Sequence, residues 1–325
     1  MKLYQIDIKP AGGFYTPIKG DTLFGMFCWA VVERFGEDRL TKMLDGYTEN
    51  RPYIVLSDAF PQGYLPKPVL PFPYFKKEGQ KEDEFNVKER KKFKRREWLP
   101  ADKIFLPTNK MAEEFKEVAI EISVKGEKKE VSFMEKSLKT QNSVNPETNH
   151  ASGGKYSAYM TDIIRYQGEL TVYAVIDESR ITADEVKTLF EQIGLTGYGK
   201  KASSGGGKFS ISEMKPVAFD NPSYTALMTL APSVVQSGEY DTAKSFYKVF
   251  VRFGRHGNKS ALSENPFKIP VLTMDCGAVL TPVNKPDTAP LFAGRGIKGV
   301  SLHDDRTVFQ GYAPVVPLNA KETPI

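Results

Sequence analysis

The residues best suited to chemistry lie in one stretch, "GYGKKASSGGGKF", Gly197 to Phe209. Five of its first eleven residues are glycine, and Lys200, Lys201, Lys208 and the hydroxyls of Ser203 and Ser204 sit among them. The next acidic residue is Glu213. Each glycine costs roughly 0.5–1 kcal/mol relative to alanine in ordered structure. Five together need a reason, either a positive φ or a main chain that must approach a ligand. Glycine removes the side chain that would hold an anion away, and lysine attracts the anion, so the stretch reads as a backbone cradle for phosphates. The Walker pattern fails, because Gly207-Lys208 is followed by Phe209. The dinucleotide pattern is formally met by Gly197, Gly199 and Ala202, but it needs a strand before it and a helix after it. Here a helix precedes, and the run Gly205–Gly207 argues against a helix immediately after. Two readings stay open: a loop that holds extended RNA backbone, and a flexible connection between helix and strand.

Other candidates for chemistry are sparse. The three histidines, His150, His256 and His303, have no Cys or Ser partner near them in sequence, and "HDD" alone is not a metal site. Cys28 and Cys276 give neither a disulfide framework nor metal-ligand spacing. The expectation is a protein without catalytic residues, metal or cofactor. The strand-like "YKVFVRFGRHG" puts Lys248, Phe250 and Arg252 on one face and Tyr247, Val249, Val251 and Phe253 on the other, with Arg255 at its end. Alternating basic and aromatic groups suit RNA backbone and base stacking. A sheet face covered by a neighbouring element fits equally well.

The elements that must position these groups follow from periodicity. "LYQIDIK" alternates and predicts a half-buried strand, with Tyr4, Ile6 and Ile8 inward. "DTLFGMFCWAVVERFG" predicts a buried helix capped by Asp21 or Thr22 and stopped by Gly36. "PYIVLSDAFP" is a second strand, and "LPKPVLPFP" is extended. From Lys76 the composition changes. Between Lys88 and Arg96 stand seven basic residues and one acidic, in what reads as a helical insertion. "EVAIEISV" and "KKEVSFM" predict a hairpin, and "SLKTQNSVNPETNHASGGKYSAYM" a polar loop or hairpin tip. "GELTVYAVID" is a strand. Thr182 and Glu185 form a capping box for a helix ended by Gly194. "KFSISEMKPV" follows the glycine stretch as a strand. The order strand–helix–strand, insertion, strand–helix–strand is the ferredoxin-like one. From about Phe219 the chain is strand-rich, a second domain of related topology.

At 325 residues the chain can bury a sizeable core, and 40% hydrophobic with 26% charged residues is ordinary for a globular protein. The net charge of +5 is compatible with nucleic acid without requiring it. The longest apolar run, Leu23–Val32, is far short of a membrane span. No signal peptide precedes the first strand, and cysteine usage fits a reducing compartment; the expectation is a cytoplasmic protein without membrane contact.

Taken together, "KGDTLFGMFCWAVVERFGE", "VLSDAFPQGYLPKP" and "GYGKKASSGGGKF" resemble the fourth subunit of the Csm complex, the type III-A CRISPR effector, a member of the RAMP superfamily. The resemblance runs from Lys2 to about Val217 and more loosely beyond. It implies an α+β fold of two ferredoxin-like (RRM-like) RAMP domains. Residues 1–218 form the first, with a charged insertion at about 62–155 and the glycine-rich loop at 197–208. Residues 219–325 form a degenerate second. "TQNSVNPETNHASGGKYS" resembles the superfamily's thumb hairpin, although Asn149 and His150 stand where a Thr-Gly pair is usual. By resemblance the chain is a non-catalytic subunit that holds the 5′ tag of the crRNA. It joins the large polymerase-palm subunit to the neighbouring backbone subunit. The RNA-binding residues this implies are Lys19 in the first motif; Lys139, Asn142, Asn145 and Lys155 in the thumb; Gly197, Gly199, Lys200, Lys201, Ser203, Ser204, Gly205, Gly206, Gly207 and Lys208 in the loop; and Arg252 and Arg255. Two other classes compete. A metal-independent crRNA-processing endoribonuclease of the same superfamily would place a histidine near the first helix, and here none precedes His150. A stand-alone RNA-binding protein would need no partner subunits.

Overall fold

Alternation makes "LYQIDIKP" a strand, β1 (Lys2–Pro10), but both of its faces are covered. Tyr4, Ile6 and Ile8 are buried as expected, and so is Asp7 on the opposite face. The computed structural model describes residues 1–75, 87–124, 127–151, 157–221, 223–257, 261, 264–302 and 304–320. β1 lies inside a four-stranded antiparallel sheet with β2 (Ile54–Pro61), β9 (Leu170–Ile176) and β10 (Phe209–Pro216), in the order β10-β1-β9-β2. With α1 (Gly20–Phe35) between the first two strands and α5 (Ala183–Thr196) between the last two, this is the βαββαβ order with strands arranged 4-1-3-2. α1 and α5 pack together on one face of the sheet. α1 buries Leu23, Phe24, Phe27, Ala30 and Val31, spaced on one side of a 3.6-residue helix. Burying Phe24 and Phe27 contributes about 1.5–3 kcal/mol each. A short α2 (Glu37–Leu44) follows, with Met43 buried and Leu40 and Leu44 packed beside it.

The other face of the sheet explains the buried Asp7. Its carboxylate accepts hydrogen bonds from Thr171 Oγ1, from Gln5 Nε2 and from Gln62 Nε2 at 3.0 Å. Around it Phe60 packs against Trp98 and Tyr173 against Phe219. Trp98 and Phe219 come from beyond the sheet, so the polar-out expectation for β1 gives way to a second covered layer.

Between β2 and β9 the insertion folds as small paired pieces. β3 (Tyr64–Pro66) pairs with β4 (Trp98–Pro100), and α3 (Val87–Arg95) and α4 (Thr108–Glu114) flank them. β5 (Ala119–Val124) and β6 (Glu127–Ser132) make the expected hairpin. β7 (Met134–Asn142) pairs along its whole length with β8 (Ala158–Tyr166), so these two strands make a hairpin. Within the insertion Lys67 Nζ lies 3.3 Å from the centroid of the Phe93 ring and 4.8 Å from that of Phe115, and donates a 2.7 Å hydrogen bond to the Phe93 carbonyl. Burial pushes this amine down to about 8, and nearby Arg96 and Lys248 push the same way.

The capping box forms as read: the Glu185 amide donates to Thr182 Oγ1 and the Thr182 amide to Glu185 Oε2. Gly194 does not end the helix. α5 runs on to Thr196, because Gly194 is needed for a different reason: a Cβ there would strike the Phe209 carbonyl of β10. The cap of α1 also differs. Lys19 holds the N-cap position, with no side-chain cap, while Asp21 in the first turn takes an arginine from elsewhere.

The C-terminal segment contributes strands and, among the described residues, no α-helix. β11 (Ala226–Thr229), β14 (Val279–Leu280), β15 (Phe292–Ile297) and β16 (Phe309–Leu318) form a second sheet in the order β14-β11-β16-β15. β12 (Val249–Arg252) and β13 (Val271–Met274) form a separate ribbon. β16 is buried along its length and seams the halves together. Gln310 both donates to and accepts from the Leu56 backbone, at a bulge where β2 breaks its pairing with β9. Tyr312 donates its hydroxyl to the Tyr47 carbonyl at 2.6 Å. One hydrophobic cluster therefore reaches from Leu3 to Leu318. No helix among the described residues is long and apolar enough to cross a membrane.

Candidate nucleic-acid interface

The glycine stretch is a folded knot, not an open cradle. Gly197 caps α5 with φ +98°, and Gly199, Lys201, Gly205 and Gly207 also have positive φ. The loop's amides are largely used inside the protein. Tyr198 N–H donates to the Gly207 carbonyl, Gly206 N–H to the Lys201 carbonyl and Gly207 N–H to the Gly13 carbonyl, each at 2.9 Å. Lys200 N–H donates to Thr16 Oγ1 at 3.0 Å, and Gly199 N–H points at Met26 Sδ. A Cβ at Gly207 would strike the Tyr198 backbone, and one at Gly206 would lie 2.7 Å from the Tyr15 ring. The glycines thus serve close packing against the segment 11–19 that leads into α1. This corrects the reading of the loop as a row of free phosphate-binding amides. Among its amides only those of Lys201, Ala202, Ser203 and Lys208 make no such internal bond.

What the knot offers outward is a rim. Lys200, Ser203, Ser204, Gly205 and Lys208 are exposed, whereas Gly197, Gly206 and Gly207 are buried. Lys201 reaches across to the β7–β8 hairpin, donating to the Tyr159 hydroxyl at 2.7 Å with its ammonium 5.1 Å from that ring's centroid. Phe14 and Ile164 exchange backbone hydrogen bonds of 2.8 and 2.7 Å, so the hairpin's base is fixed to the same segment 11–19. The pairing register puts Lys139 and Gln141 on the hairpin face that carries Tyr159. Knot and hairpin therefore form one continuous basic surface.

Below it lies a charged lock. Lys19 Nζ sits 2.8 Å from Asp58 Oδ2 and 3.0 Å from Asp275 Oδ1. Burial lowers the Lys19 ammonium, but the two carboxylates outweigh it and leave it above the usual lysine range. Burial raises the Asp58 carboxyl to about 6, against the pull of Lys19 and the Gly20 amide. Tyr198 of the knot completes the lock, accepting from Lys19 N–H at 3.1 Å and donating to the Pro17 carbonyl at 3.0 Å.

No known family profile matches the sequence, and no curated protein does. Solved structures do. A chain of a Csm1–Csm4 cassette bound to pppApA matches with a TM-score of 0.60 at 15% identity, over 99% of this chain and 100% of that one. A chain of a Csm3–Csm4 subcomplex from a type III-A CRISPR–Cas interference complex matches with a TM-score of 0.58 at 15% identity, over 98% and 100%. Csm4 is the component common to both. The chain has the Csm4 fold.

Mapped onto that fold, the expected RNA-binding residues separate into groups. Lys200, Lys201, Ser203, Ser204, Gly205, Lys208 and Lys139 share the basic surface. Asn142 lies on the opposite face of the hairpin, with Met160 and Leu138. Asn145 folds the tip, its Oδ1 accepting from Glu147 N–H at 2.9 Å. Lys155 lies outside the described residues, as does His303. Gly197, Gly199, Gly206 and Gly207 are packing positions. Lys19 is held in the lock, and Arg252 is engaged by Asp21 in two hydrogen bonds of 2.6 and 2.9 Å and by Thr22. Both charges are thus paired with carboxylates of the fold.

Of the two readings of the strand around Arg252, the structure shows the face covered by a neighbouring element. Its basic and aromatic face, Phe250 and Arg252, turns toward α1, with Lys19 6.0 Å from the Phe250 ring centroid. The face left outside is the aliphatic one. Arg255 is exposed over the ring of Phe267. His256 is buried against Ser301 Oγ at 3.0 Å. Among the described residues no three or more His, Cys, Asp or Glu side chains are grouped to hold a metal ion. Sequence reasoning missed Tyr15, Thr16 and Tyr159. The signal for the first two was "AGGFYTP", a second glycine turn placed directly before the first helix.

Proposed function

We propose that this chain is the non-catalytic crRNA-binding subunit of a type III CRISPR interference complex. The rim of the glycine knot and the β7–β8 hairpin hold the 5′ tag of the guide. The body joins a Csm1-like large subunit to a Csm3-like backbone subunit. The observation that carries this reading is the Csm4 fold along the entire chain, found in partnership with Csm1 in one structure and Csm3 in the other. The basic surface supports it physically. Lys139, Lys200, Lys201 and Lys208 give a phosphate track, Ser203 and Ser204 give hydroxyls for sugar and phosphate, and Tyr159 gives a ring beside them. Catalysis plays no part in this role: the chain positions RNA and neighbours, and hydrolysis belongs to other subunits.

The test is binding of the purified chain to the repeat-derived 5′ tag RNA and to a scrambled RNA of equal length, with cleavage monitored with and without divalent metal. The expected result is tighter binding of the tag and intact RNA in every lane. Cleavage lost on His150→Ala or His256→Ala would establish the endoribonuclease instead.

A further inference from the structure

The ribbon β12–β13 carries a surface that belongs neither to the knot nor to the β7–β8 hairpin. Its outer face exposes Val249 (58%), Val251 (45%), Phe253 (75%) and Leu272 (61%), continued by Phe267 and Ile269. A contiguous apolar patch on a free surface marks an interaction site. The backbone adds a second, independent feature. Asp275 N–H donates to the Lys248 carbonyl at 2.7 Å, and the antiparallel register then directs the polar groups of Phe250 and Arg252 toward β13. Those of Val249 and Val251 point away from it. The pairing of Met274 with Ser233 on the far side of β13 fits the same alternation. Among the described residues no hydrogen bond reaches the outward amides of Val249 and Val251. An exposed strand edge with unpaired backbone groups is a template for another strand.

The charge says what kind of strand. From Lys244 to Arg255 the chain holds four basic residues and no acid. Arg252 is consumed by Asp21, while Lys244, Lys248 and Arg255 are exposed and, among the described residues, form no salt bridge. We propose that the outer edge of β12 accepts an added strand from a protein partner, an extended segment with alternating apolar side chains flanked by carboxylates. The aliphatic side chains lack the ring faces that bases stack on. The basic frame disfavours a second copy of this chain, which would set like charges edge to edge. The proposal rests on the chain being a subunit of a larger assembly.

Amide hydrogen exchange, followed on the full chain alone and co-assembled with its Csm1-like and Csm3-like neighbours, tests it. The expected result is at least tenfold slower exchange at Val249 and Val251 in the assembly. Val251→Pro removes an outward N–H and spares the β13 pairing, so it should keep the parent's melting temperature and weaken association about tenfold. Lys248→Glu with Arg255→Glu should weaken association similarly without touching the edge. An intact assembly in which both amides exchange as fast as in the free chain would overturn the proposal. So would protection that grows with concentration of the chain alone, which means a second copy, or protection by the tag RNA alone. Failure to assemble at all would remove the subunit reading and the added strand together.

Discussion

Lys19 illustrates how much a single charge does when it is buried. Its ammonium neutralises Asp58, which is almost wholly inside the protein. Replacing Lys19 with Met leaves that carboxylate uncompensated, and the expected loss of stability is about 3–5 kcal/mol at neutral pH. The sign with pH follows. Burial favours the protonated form of Asp58, so without Lys19 the native state holds a proton that the unfolded chain has released. Stability of the variant therefore rises as pH falls, and its deficit against the parent shrinks as pH falls toward about 6, where Asp58 of the parent takes up a proton as well. Thermal melting of both proteins across that range checks it; a deficit that stays constant would place the Asp58 charge in solvent. The glycines separate on the same scale. Gly205 has φ +82° with open space around it, and its replacement by alanine should cost about 1–2 kcal/mol from the left-handed backbone alone. Gly207→Ala should cost more, because its Cβ also meets the Tyr198 backbone. Equal melting temperatures for the two variants would contradict the packing account of the knot. Lys200 and Lys208 are exposed, and removing each should flatten the logarithmic salt dependence of RNA binding by about 0.7. A titration at several salt concentrations reads this directly.

At the scale of elements, the insertion is tied to the body by rings. Phe93 of α3 packs against Phe72, Phe75 and Phe115 and forms the lid over the Lys67 ammonium. Phe93→Ala should cost about 3–5 kcal/mol if the site cannot collapse. It should release α3 to rapid proteolysis while the four-stranded sheet keeps its slow amides. Loss of protection in β1 and β9 as well would show that the insertion is part of the central core. Much of this level was legible in the sequence. Strands β1, β2, β9 and β10, helices α1 and α5, and the Thr182 capping box follow from alternation, apolar runs, helical period and cap chemistry. α2 and α4 were not read from the sequence, since each is only about two turns long, although Leu40, Met43 and Leu44 of α2 stand at i, i+3 and i+4. The glycine knot was read for its chemistry and not for its fold. Its partner, the segment around Gly13 and Tyr15, stands almost at the other end of the domain's sequence, and no local pattern links the two. The face of β12 was legible as an alternation, but which face turned outward depended on Asp21 of α1 capturing Arg252.

For the whole molecule, the long β16 and its Gln310 bond to Leu56 make the two halves share one core, so the basic surface and the β12 edge are held at fixed positions on one body. The proposed role, holding RNA and touching two neighbours, needs that rigidity. The C-terminal half was the least legible part, because its strands are short, separated by proline- and glycine-rich segments, and assembled by contacts distant in sequence. The central claim is that guide RNA lies along the rim of the knot and the hairpin beside it. Crosslinking of the chain to its native guide in the assembled complex, with peptides mapped by mass spectrometry, tests this most directly. The account predicts that crosslinks to the 5′ tag fall on the segment 200–208 and on strands β7 and β8 near Lys139 and Tyr159. Tag crosslinks confined to the ribbon β12–β13 or to the insertion helix α3, with the knot and hairpin unmodified, would contradict it.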